Sequence, residues 1–355
     1  MKNPFKFGTI VEGEFFTDRV REVAHIKQFI DSENHLILIS PRRFGKSSVV
    51  KKALSESARQ SITLNMQNVT SEADLAAKLL REIYKIHPFE RVKQFVMHFR
   101  VIPTLTTNPV TGMIDLSFQP TENPAVLLED VMELMDGISS PENRLVVVLD
   151  EFQEINDLAP NLDKQLRAMM QAQKNINYIL LGSQESIMTD IFEKKKSPFY
   201  HFGQLMRLKA IPREDFSSYI SDRLQDCLSI DVEEITNQIL NFTHCHPYYT
   251  QQLAAQIWQI SKLQTPTDNI VKSAIQQIVE NHDLDYERLW MNFNKTDKSV
   301  LITLVKHLPL QNFERKTSTT YSALKRLQKA GYLIYTTKFE IEDPFFSHWI
   351  YKEIN

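Results

Sequence analysis

Short apolar runs alternate with segments of helical spacing over the first 210 residues of the chain. Most positions in these runs are apolar or β-branched, which predicts strands that are buried on both faces. Strands of this kind form a parallel sheet covered by helices, so the alternation predicts an α/β fold. The predicted strands are 35–40, 61–67, 144–150, 176–183 and 204–211.

The segments between these strands carry apolar residues at helical spacing. Ser71 stands at the start of one of them with Asp74 three residues later, a pair that is typical of a helix N-terminus. The stretch 87–124 interrupts the alternation with several prolines and a turn signal at 108–112. We interpret it as an insertion, for which a hairpin is one candidate. The predicted helices are 18–30, 46–58, 71–86 and 125–135.

The strands stop near residue 211, and a helical pattern follows. From about residue 286 two more helices precede Gly331 and an alternating segment, 332–342, which together are typical of a winged helix. The helices predicted in this half are 212–228, 232–242, 247–263, 267–281, 298–307 and 318–329. Three domains are therefore expected: an α/β domain over 1–210 with the insertion, a helical domain over 211–285, and a winged helix over 286–355.

Composition narrows the class of protein. Hydrophobic residues make up 42% and charged residues 24% of the chain, and the net charge is −3, which argues against a disordered tail or a globally basic nucleic-acid coat. The two cysteines, Cys227 and Cys245, are too few for a disulfide framework or a four-thiolate zinc site. No apolar stretch approaches 18 residues and the first residues lack a signal core, so we expect a soluble cytoplasmic protein.

The segment 40–47 fits the phosphate-loop pattern G-x-x-x-x-G-K-[ST] at every fixed position except the first, where Ser40 replaces glycine. A buried strand precedes it and a helix follows, so backbone N–H groups are expected to bind phosphate oxygens. Lys46 would neutralise the β- and γ-phosphates, and the Ser47 hydroxyl would coordinate Mg²⁺. Serine at a position that needs a positive φ would be strained. The predicted nucleotide-binding residues of the loop are Pro41, Arg42, Arg43, Phe44, Gly45, Lys46, Ser47 and Ser48.

Two further motifs follow buried strands. Asp150 and Glu151 stand at the end of the most apolar predicted strand, 144–150. Asp150 would hold Mg²⁺, and Glu151 would orient or deprotonate the attacking water. Ser183 follows the next strand and would contact the γ-phosphate or that water, because ligands bind at the carboxyl ends of parallel strands. An acidic turn and an ordinary strand-end turn are the alternatives. The predicted catalytic residues are Lys46, Asp150, Glu151 and Ser183.

These motifs resemble those of P-loop ATPases of the AAA+/STAND superfamily, close to the archaeal-type ATP-binding proteins. The resemblance covers the chain except 87–124, and it implies a five-stranded parallel sheet, a helical lid over 211–285 and a C-terminal winged helix. It also implies that His246 and Pro247 lie near the adenine or its phosphates. The segments that carry it are Phe16, Arg19 and Glu22 of an N-terminal box, 41–50, 146–155, 180–188, 242–254 and 340–350.

The chain departs from this family at two places. Relatives often carry Gly-Arg after Ser-Pro-x-Tyr, but His201 and Phe202 stand there, so a candidate arginine finger is missing. Arg207 and the lysines at 194–196 are substitutes, although a lysine run is more often a solvated face. Cys245 replaces a family glycine between two histidines. A metal site at 244–246 is disfavoured, because three adjacent residues cannot converge on one ion.

Basic residues cluster near the C-terminus, where 306–329 holds six of them and one acid. The helix 318–329 would be the recognition helix of a winged helix that binds duplex DNA. Packing on the ATPase core or docking of a protein client is the alternative, and Tyr321, Leu324 and Leu327 are expected to form the buried face.

Three functions are compatible with these patterns. The first is an ATP-binding protein with slow, Mg²⁺-dependent hydrolysis, which acts as a nucleotide-driven switch. The second is an ATPase that binds DNA through the winged helix. The third is a scaffold that retains ATP or ADP without turnover. Arg42 and Arg43 could contact phosphate or a neighbouring subunit, so an oligomer is left open, and solvated loop-tip side chains are the alternative.

Overall fold

The computed structural model describes residues 2–87, 89–100, 104–107, 114–117, 124–225, 227–228, 231–265, 267, 269–308 and 317–354. The chain divides into two compact units. The sheet unit comprises Val20–Ser40 and Val49–Leu208, and the helical unit comprises Met1–Arg19, Pro41–Ser48 and Lys209–Asn355. Each unit has a hydrophobic core of its own.

A five-stranded parallel sheet forms the centre of the sheet unit, as the apolar runs predicted. Its strand order is β2-β5-β6-β1-β7, so the strand before the phosphate loop lies next to the strand that ends in Gly182. Ile39 pairs with Gly182, and Asn65 pairs with Asp150. The strands are β1 (Leu36–Ile39), β2 (Ser61–Asn65), β5 (Leu145–Asp150), β6 (Ile176–Gly182) and β7 (Gln204–Arg207).

Helices surround this sheet at the predicted places, and several short helices appear that the apolar pattern did not predict. The Ser71 hydroxyl accepts a hydrogen bond of 3.1 Å from the Asp74 N–H and caps α3, as expected. The helices are α1 (Val20–Asp31), α2 (Lys46–Ser55), α3 (Glu72–Ile86), α4 (Phe89–Val96), α5 (Pro124–Ile138), α6 (Ile155–Leu158), α7 (Leu162–Ala172) and α8 (Glu185–Phe192).

The insertion between α3 and α5 contains α4 and an antiparallel strand pair, β3 (Thr104–Thr107) and β4 (Ile114–Ser117). Thr104 lies opposite Ser117, so this pair has the form of the candidate hairpin. The turn signal at 108–112 lies outside the described residues.

Among the described residues after Leu208, the helical unit contains eight α-helices and one two-stranded antiparallel sheet. Helices α13 and α16 were not predicted. The three-domain division made on the sequence stays a prediction. The elements are α9 (Arg213–Leu224), α10 (Val232–Thr243), α11 (Pro247–Leu263), α12 (Ile270–Asn281), α13 (Asp283–Asn292), α14 (Lys295–Val305), α15 (Thr317–Lys329), β8 (Leu333–Tyr335), β9 (Phe339–Ile341) and α16 (Pro344–Glu353). Within the described part of the chain, every helix is too short or too polar to span a bilayer.

Candidate nucleotide site

The phosphate loop turns through two residues of left-handed backbone before α2 begins at Lys46. The φ angles are 64° at Arg43 and 85° at Gly45. A Cβ added at Gly45 would meet no atom within 4 Å, so its backbone conformation, rather than lack of space, favours glycine there. The N–H groups of the first turn of α2 have no acceptor within the helix, and they suit an anion.

Ser40 does not have the strained backbone that the missing glycine led us to expect. Ser40 is not among the described residues that have a positive φ, whereas Arg43 and Gly45 are. Its N–H donates to the Gly182 carbonyl at 3.3 Å, and the residue is fully buried. Ser40 therefore continues the pairing of β1 with β6, and the turn of the loop comes later.

Several contacts within the helical unit support the loop. Lys46 is 6% exposed, and its Nζ lies 3.4 Å from the Pro41 carbonyl oxygen. The Ser48 hydroxyl accepts a hydrogen bond of 3.0 Å from the Val11 N–H. The side chain of Ser48 thus holds the N-terminal segment, whereas Arg42 is exposed.

Arg19 also supports the loop, which is a role that the N-terminal box in the sequence did not reveal. It is 2% exposed and donates to the carbonyl oxygens of Phe44, at 3.4 Å, and Lys209, at 2.7 Å. Its backbone is left-handed, with φ 68°. A buried guanidinium needs several acceptors, and loop carbonyls provide them here.

A chain of hydrogen bonds runs from the phosphate loop to the C-terminal hairpin, all within the helical unit. The Arg43 guanidinium donates to the phenol oxygen of Tyr249 at 2.8 Å, and the Tyr249 hydroxyl donates to Glu342 Oε2 at 2.6 Å. The same guanidinium lies 4.7 Å from the ring centroid of Tyr248. Burial raises the pKa of Tyr249, and the carboxylates of Asp343 and Glu342 raise it further, so the phenol stays protonated and can donate.

His246 lies beside this chain and is 4% exposed. Its Nδ1 accepts a hydrogen bond of 3.2 Å from the Tyr248 N–H and caps α11, so in the neutral ring the proton is on Nε2. Nε2 lies 3.4 Å from Glu342 Oε1, and the Phe44 ring meets the imidazole edge-on at 4.6 Å. Pro247 is the first residue of α11. An adenine contact by His246 and Pro247 stays a prediction.

In the sheet unit, the acidic pair follows β5 as predicted. Asp150 is its last residue, and Asp150 Oδ1 accepts a hydrogen bond of 2.9 Å from the Glu151 N–H. Glu151 is left-handed, with φ 53°. Its Oε2 accepts from Ser183 Oγ at 2.6 Å and from Gln153 Nε2 at 2.5 Å. The structure therefore brings Glu151 and Ser183 together, and it adds Gln153, which sequence reasoning missed.

Packing explains why a glycine, Gly182, stands just before Ser183. A Cβ at Gly182 would lie 2.3 Å from Met188 Cγ, far inside van der Waals contact. The absence of a side chain there lets the first turn of α8 pack close to the end of β6.

Two of the substitutes for an arginine finger, Arg207 and Lys194, form local ion pairs. Arg207 pairs with Glu193 at 2.7 Å. Lys194 pairs with Asp190 at 2.7 Å, and both side chains are more than half exposed, which agrees with a solvated face.

No group of three His, Cys, Asp or Glu side chains that could hold a metal ion occurs among the described residues. His244 and Cys245 are left-handed, with φ of 51° and 57°, a region where glycine is favoured. Glycine would adopt the backbone conformation of Cys245 without strain. The Ser47 hydroxyl and the Asp150 carboxylate are hard oxygen donors, which fit the chemistry that Mg²⁺ prefers.

The charged face of α15 differs from the expected one. Arg326 pairs with Asp297 at 2.5 Å, and the Asp297 side chain is only 7% exposed. Leu324 and Leu327 are buried as predicted, but Tyr321 is 57% exposed, so its placement in the core was wrong. Lys325 Nζ lies 5.5 Å from the ring centroid of Tyr321. The basic residues at 315 and 316 lie outside the described residues.

The comparisons with known proteins agree with this fold. Residues 30–187 match the family model of the AAA domain. A Walker-type ATPase of Pyrococcus abyssi is similar over 95% of this chain and 97% of its own, with 14% identity and a TM-score of 0.66. The ORC2 protein of Aeropyrum pernix, in ADPNP–ADP complexes, is similar over 99% of both chains, with 12% identity and a TM-score of 0.56. No curated protein matches the chain in sequence.

Residues 30–187 thus carry an AAA domain, and the chain as a whole has the fold of the Walker-type ATPase and of the ORC2 protein. The resemblance to P-loop ATPases of the AAA type that the motifs indicated is thereby confirmed.

Proposed function

We propose that this protein binds ATP with Mg²⁺, hydrolyses it slowly and acts as a nucleotide-driven switch. Support comes from two motifs that ATP hydrolysis requires: a phosphate loop that opens a helix, and an acidic pair that ends a buried parallel strand. The similar ORC2 protein was solved with ADPNP and ADP, which favours the same ligands here.

Each residue has a distinct chemical role in this proposal. The loop amides and Lys46 bind the phosphate oxygens, and Ser47 and Asp150 provide oxygen ligands for Mg²⁺. When bound, Mg²⁺ would neutralise charge on the phosphates. Glu151 accepts a proton from the attacking water, and Ser183 holds the Glu151 carboxylate.

The observation that carries the switch is the hydrogen-bond chain Arg43–Tyr249–Glu342. Arg43 belongs to the phosphate loop, but its acceptor is a neutral phenol oxygen. A guanidinium binds phosphate oxygens more strongly than a phenol oxygen, because phosphate carries the opposite charge and can accept two parallel N–H bonds from the planar group. Bound phosphate therefore draws Arg43 away from Tyr249, and its loss on hydrolysis restores the contact. Nucleotide state would thus be transmitted from the loop to α11 and β9.

The test is phosphate release from ATP, measured for the wild type, Glu151→Gln and Glu154→Gln. We expect Glu151→Gln to lose about 100-fold or more in turnover while ATP binding persists, because only the proton acceptor is lost. Glu154→Gln, in the same turn, should retain turnover. Equal turnover in Glu151→Gln and the wild type would reject the assignment. No turnover in the wild type, with nucleotide retained, would favour the scaffold.

A separate measurement tests whether the nucleotide state is transmitted to β9. Amide hydrogen exchange of β8 and β9 should differ between the ATP-bound Glu151→Gln protein and the ADP-bound protein. Adding Arg43→Ala should remove the difference, because the chain then lacks its first donor. A difference that survives Arg43→Ala would reject this route.

A second candidate function is duplex DNA binding by α15 and the β8–β9 hairpin, which we interpret as a winged helix. The observation that favours it is a set of exposed aromatic and basic side chains on these elements. Such side chains suit phosphates and grooves. They are Tyr321, Lys325 and Lys329 of α15 and Tyr335 and Lys338 of the hairpin. A protein client at the same surface is the alternative, and the cytoplasmic location and an oligomer stay predictions.

A further inference from the structure

Gln153 lies where it can control the geometry of Glu151. It is in the short 3-10 helix Phe152–Glu154 that follows the left-handed Glu151, and it is 3% exposed. Its Nε2 donates to Glu151 Oε2 at 2.5 Å. Ser183 Oγ donates to the same oxygen at 2.6 Å, from the end of β6.

Two donors on one carboxylate oxygen leave the other oxygen available. Within the described part of the chain, Glu151 Oε1 takes part in no hydrogen bond. Donors from two separate elements fix the carboxylate plane and the direction in which Oε1 points. A carboxylate oxygen held in this way resembles a metal-bound histidine whose second nitrogen is fixed by an outer partner.

The orientation of the Gln153 amide follows from its neighbour. The opposite assignment would place the amide oxygen 2.5 Å from a carboxylate oxygen, and the two would repel. With Nε2 toward Glu151, Gln153 Oε1 is buried and has no hydrogen-bond partner among the described residues. An unpaired buried acceptor is costly, and an apolar side chain of the same length would avoid that cost. Packing alone therefore does not account for glutamine at this position.

We propose that Gln153 is a positioning residue for ATP hydrolysis: it anchors Oε2 of Glu151 so that Oε1 takes the proton of the attacking water. In this step the water oxygen bonds to the γ-phosphorus and the bond to the bridging oxygen breaks. The electron pair of that bond stays on ADP, and the proton goes to Glu151 Oε1. This inference rests on the proposed ATPase function.

The test replaces Gln153 by methionine, which keeps the unbranched length but removes the donor. We expect kcat for phosphate release to fall about 10- to 100-fold, with KM for ATP within about twofold of the wild type. In the Glu151→Gln background the same substitution should cause no further loss of turnover, because Gln153 acts through Glu151. Gln171→Met, an exposed substitution on α7, is the matched control and should change neither kcat nor KM.

The outcomes separate this inference from the function on which it rests. Turnover that depends on Glu151 but is unchanged in Gln153→Met would overturn the positioning role alone. A rise in kcat would also overturn it, because Gln153 would then hold Glu151 in an inactive position. A fall in kcat that is as large in the Glu151→Gln background as in the wild type would mean a merely structural role. Turnover independent of Glu151 would overturn both the function and the inference.

Discussion

The Arg43 guanidinium donates a hydrogen bond of 2.8 Å to the phenol oxygen of Tyr249, although 206 residues separate the two in sequence. Arg43 is a variable position of the phosphate-loop pattern, and Tyr249 is a core residue of α11 that is 1% exposed. The contact joins the phosphate loop to α11. The Tyr249 hydroxyl in turn donates a second short hydrogen bond to Glu342.

Tyr249→Phe should destabilise the helical unit. The substitution removes the hydroxyl that serves Arg43 and Glu342 and leaves the Glu342 carboxylate, which is 11% exposed, without its donor. We expect the free energy of unfolding to fall by about 1–3 kcal/mol, measured by urea denaturation. Tyr248→Phe is the matched control, because Arg43 contacts the ring of Tyr248 and the ring remains. Equal losses in both variants would contradict the importance of the hydroxyl.

The same Tyr249→Phe variant should bind ATP more tightly. Arg43 then loses its internal acceptor, and less interaction has to be given up when phosphate binds. We expect Kd to fall by about 3- to 10-fold in a fluorescence titration, which corresponds to an ordinary coupling energy. Weaker binding in this variant would argue against competition between phosphate and Tyr249.

Lys46→Ala should abolish nucleotide binding without unfolding the protein. Lys46 is the cation of the loop, so the substitution removes the charge that would neutralise the phosphate oxygens. Its Nζ lies 3.4 Å from the Pro41 carbonyl oxygen, which is long for a hydrogen bond. Lys52→Ala, farther along α2 and paired with Glu56, should bind ATP as the wild type does. Isothermal titration with ATP and Mg²⁺ measures both, and retained affinity in Lys46→Ala would contradict the site assignment.

Arg326 should contribute to the unfolding free energy of the protein and not to DNA binding. Its partner Asp297 is nearly buried, so Arg326→Gln leaves a carboxylate without its cation. We expect a loss of about 1–3 kcal/mol in unfolding free energy. Lys329→Gln, at an exposed position of the same helix, should change it by less than about 0.5 kcal/mol. A neutral effect of Arg326→Gln would show that the pair is dispensable.

DNA binding is better tested with the lysines. Lys325→Glu combined with Lys329→Glu should weaken binding to duplex DNA. The slope of the logarithm of the binding constant against the logarithm of salt concentration should become shallower by about two, because each lysine would neutralise one phosphate. The double variant should keep the unfolding free energy of the wild type. Unchanged DNA affinity would leave this face to a protein client.

His35 makes stability depend on pH. Burial, followed by the charges of Arg167 and Arg144, lowers the pKa of His35 to about 4. The ring stacks on Phe202 at 4.4 Å, and its Nδ1 accepts from the Tyr178 N–H at 3.2 Å, which a protonated Nδ1 could not do. As pH falls from about 6.5 to about 4, the unfolded chain binds a proton before the folded protein does, so stability is lost across that window.

The measurement is the unfolding free energy at pH 7 and pH 4 for the wild type and His35→Asn. Asparagine offers an acceptor but does not titrate, so the loss between the two pH values should be smaller by on the order of 2–3 kcal/mol. His201→Asn, at an exposed left-handed residue, should follow the wild type. The same pH slope in His35→Asn and the wild type would contradict the origin assigned to it.

Local signals predicted the elements well. The apolar runs predicted all five strands of the parallel sheet, and Ser71 predicted the start of α3. Tyr321 was placed in the core wrongly, because its helical spacing fits the buried stripe of Leu324 and Leu327 but it lies beyond the edge of the described core. Spacing gives the phase of a residue on a helix, whereas burial also depends on how far the neighbouring elements extend.

The sequence by itself determined the strands, most helices and the chemistry of the phosphate loop and the acidic pair, because periodicity and short motifs depend on residues close together in the chain. The strand order, the Arg43–Tyr249–Glu342 chain, the pairing of Arg326 with Asp297 and the contact of Gln153 with Glu151 were decided only by the tertiary structure. Most of these join residues that are far apart in sequence. Even the closest pair depends on a left-handed turn at Glu151, because only the folded backbone directs both side chains to one point.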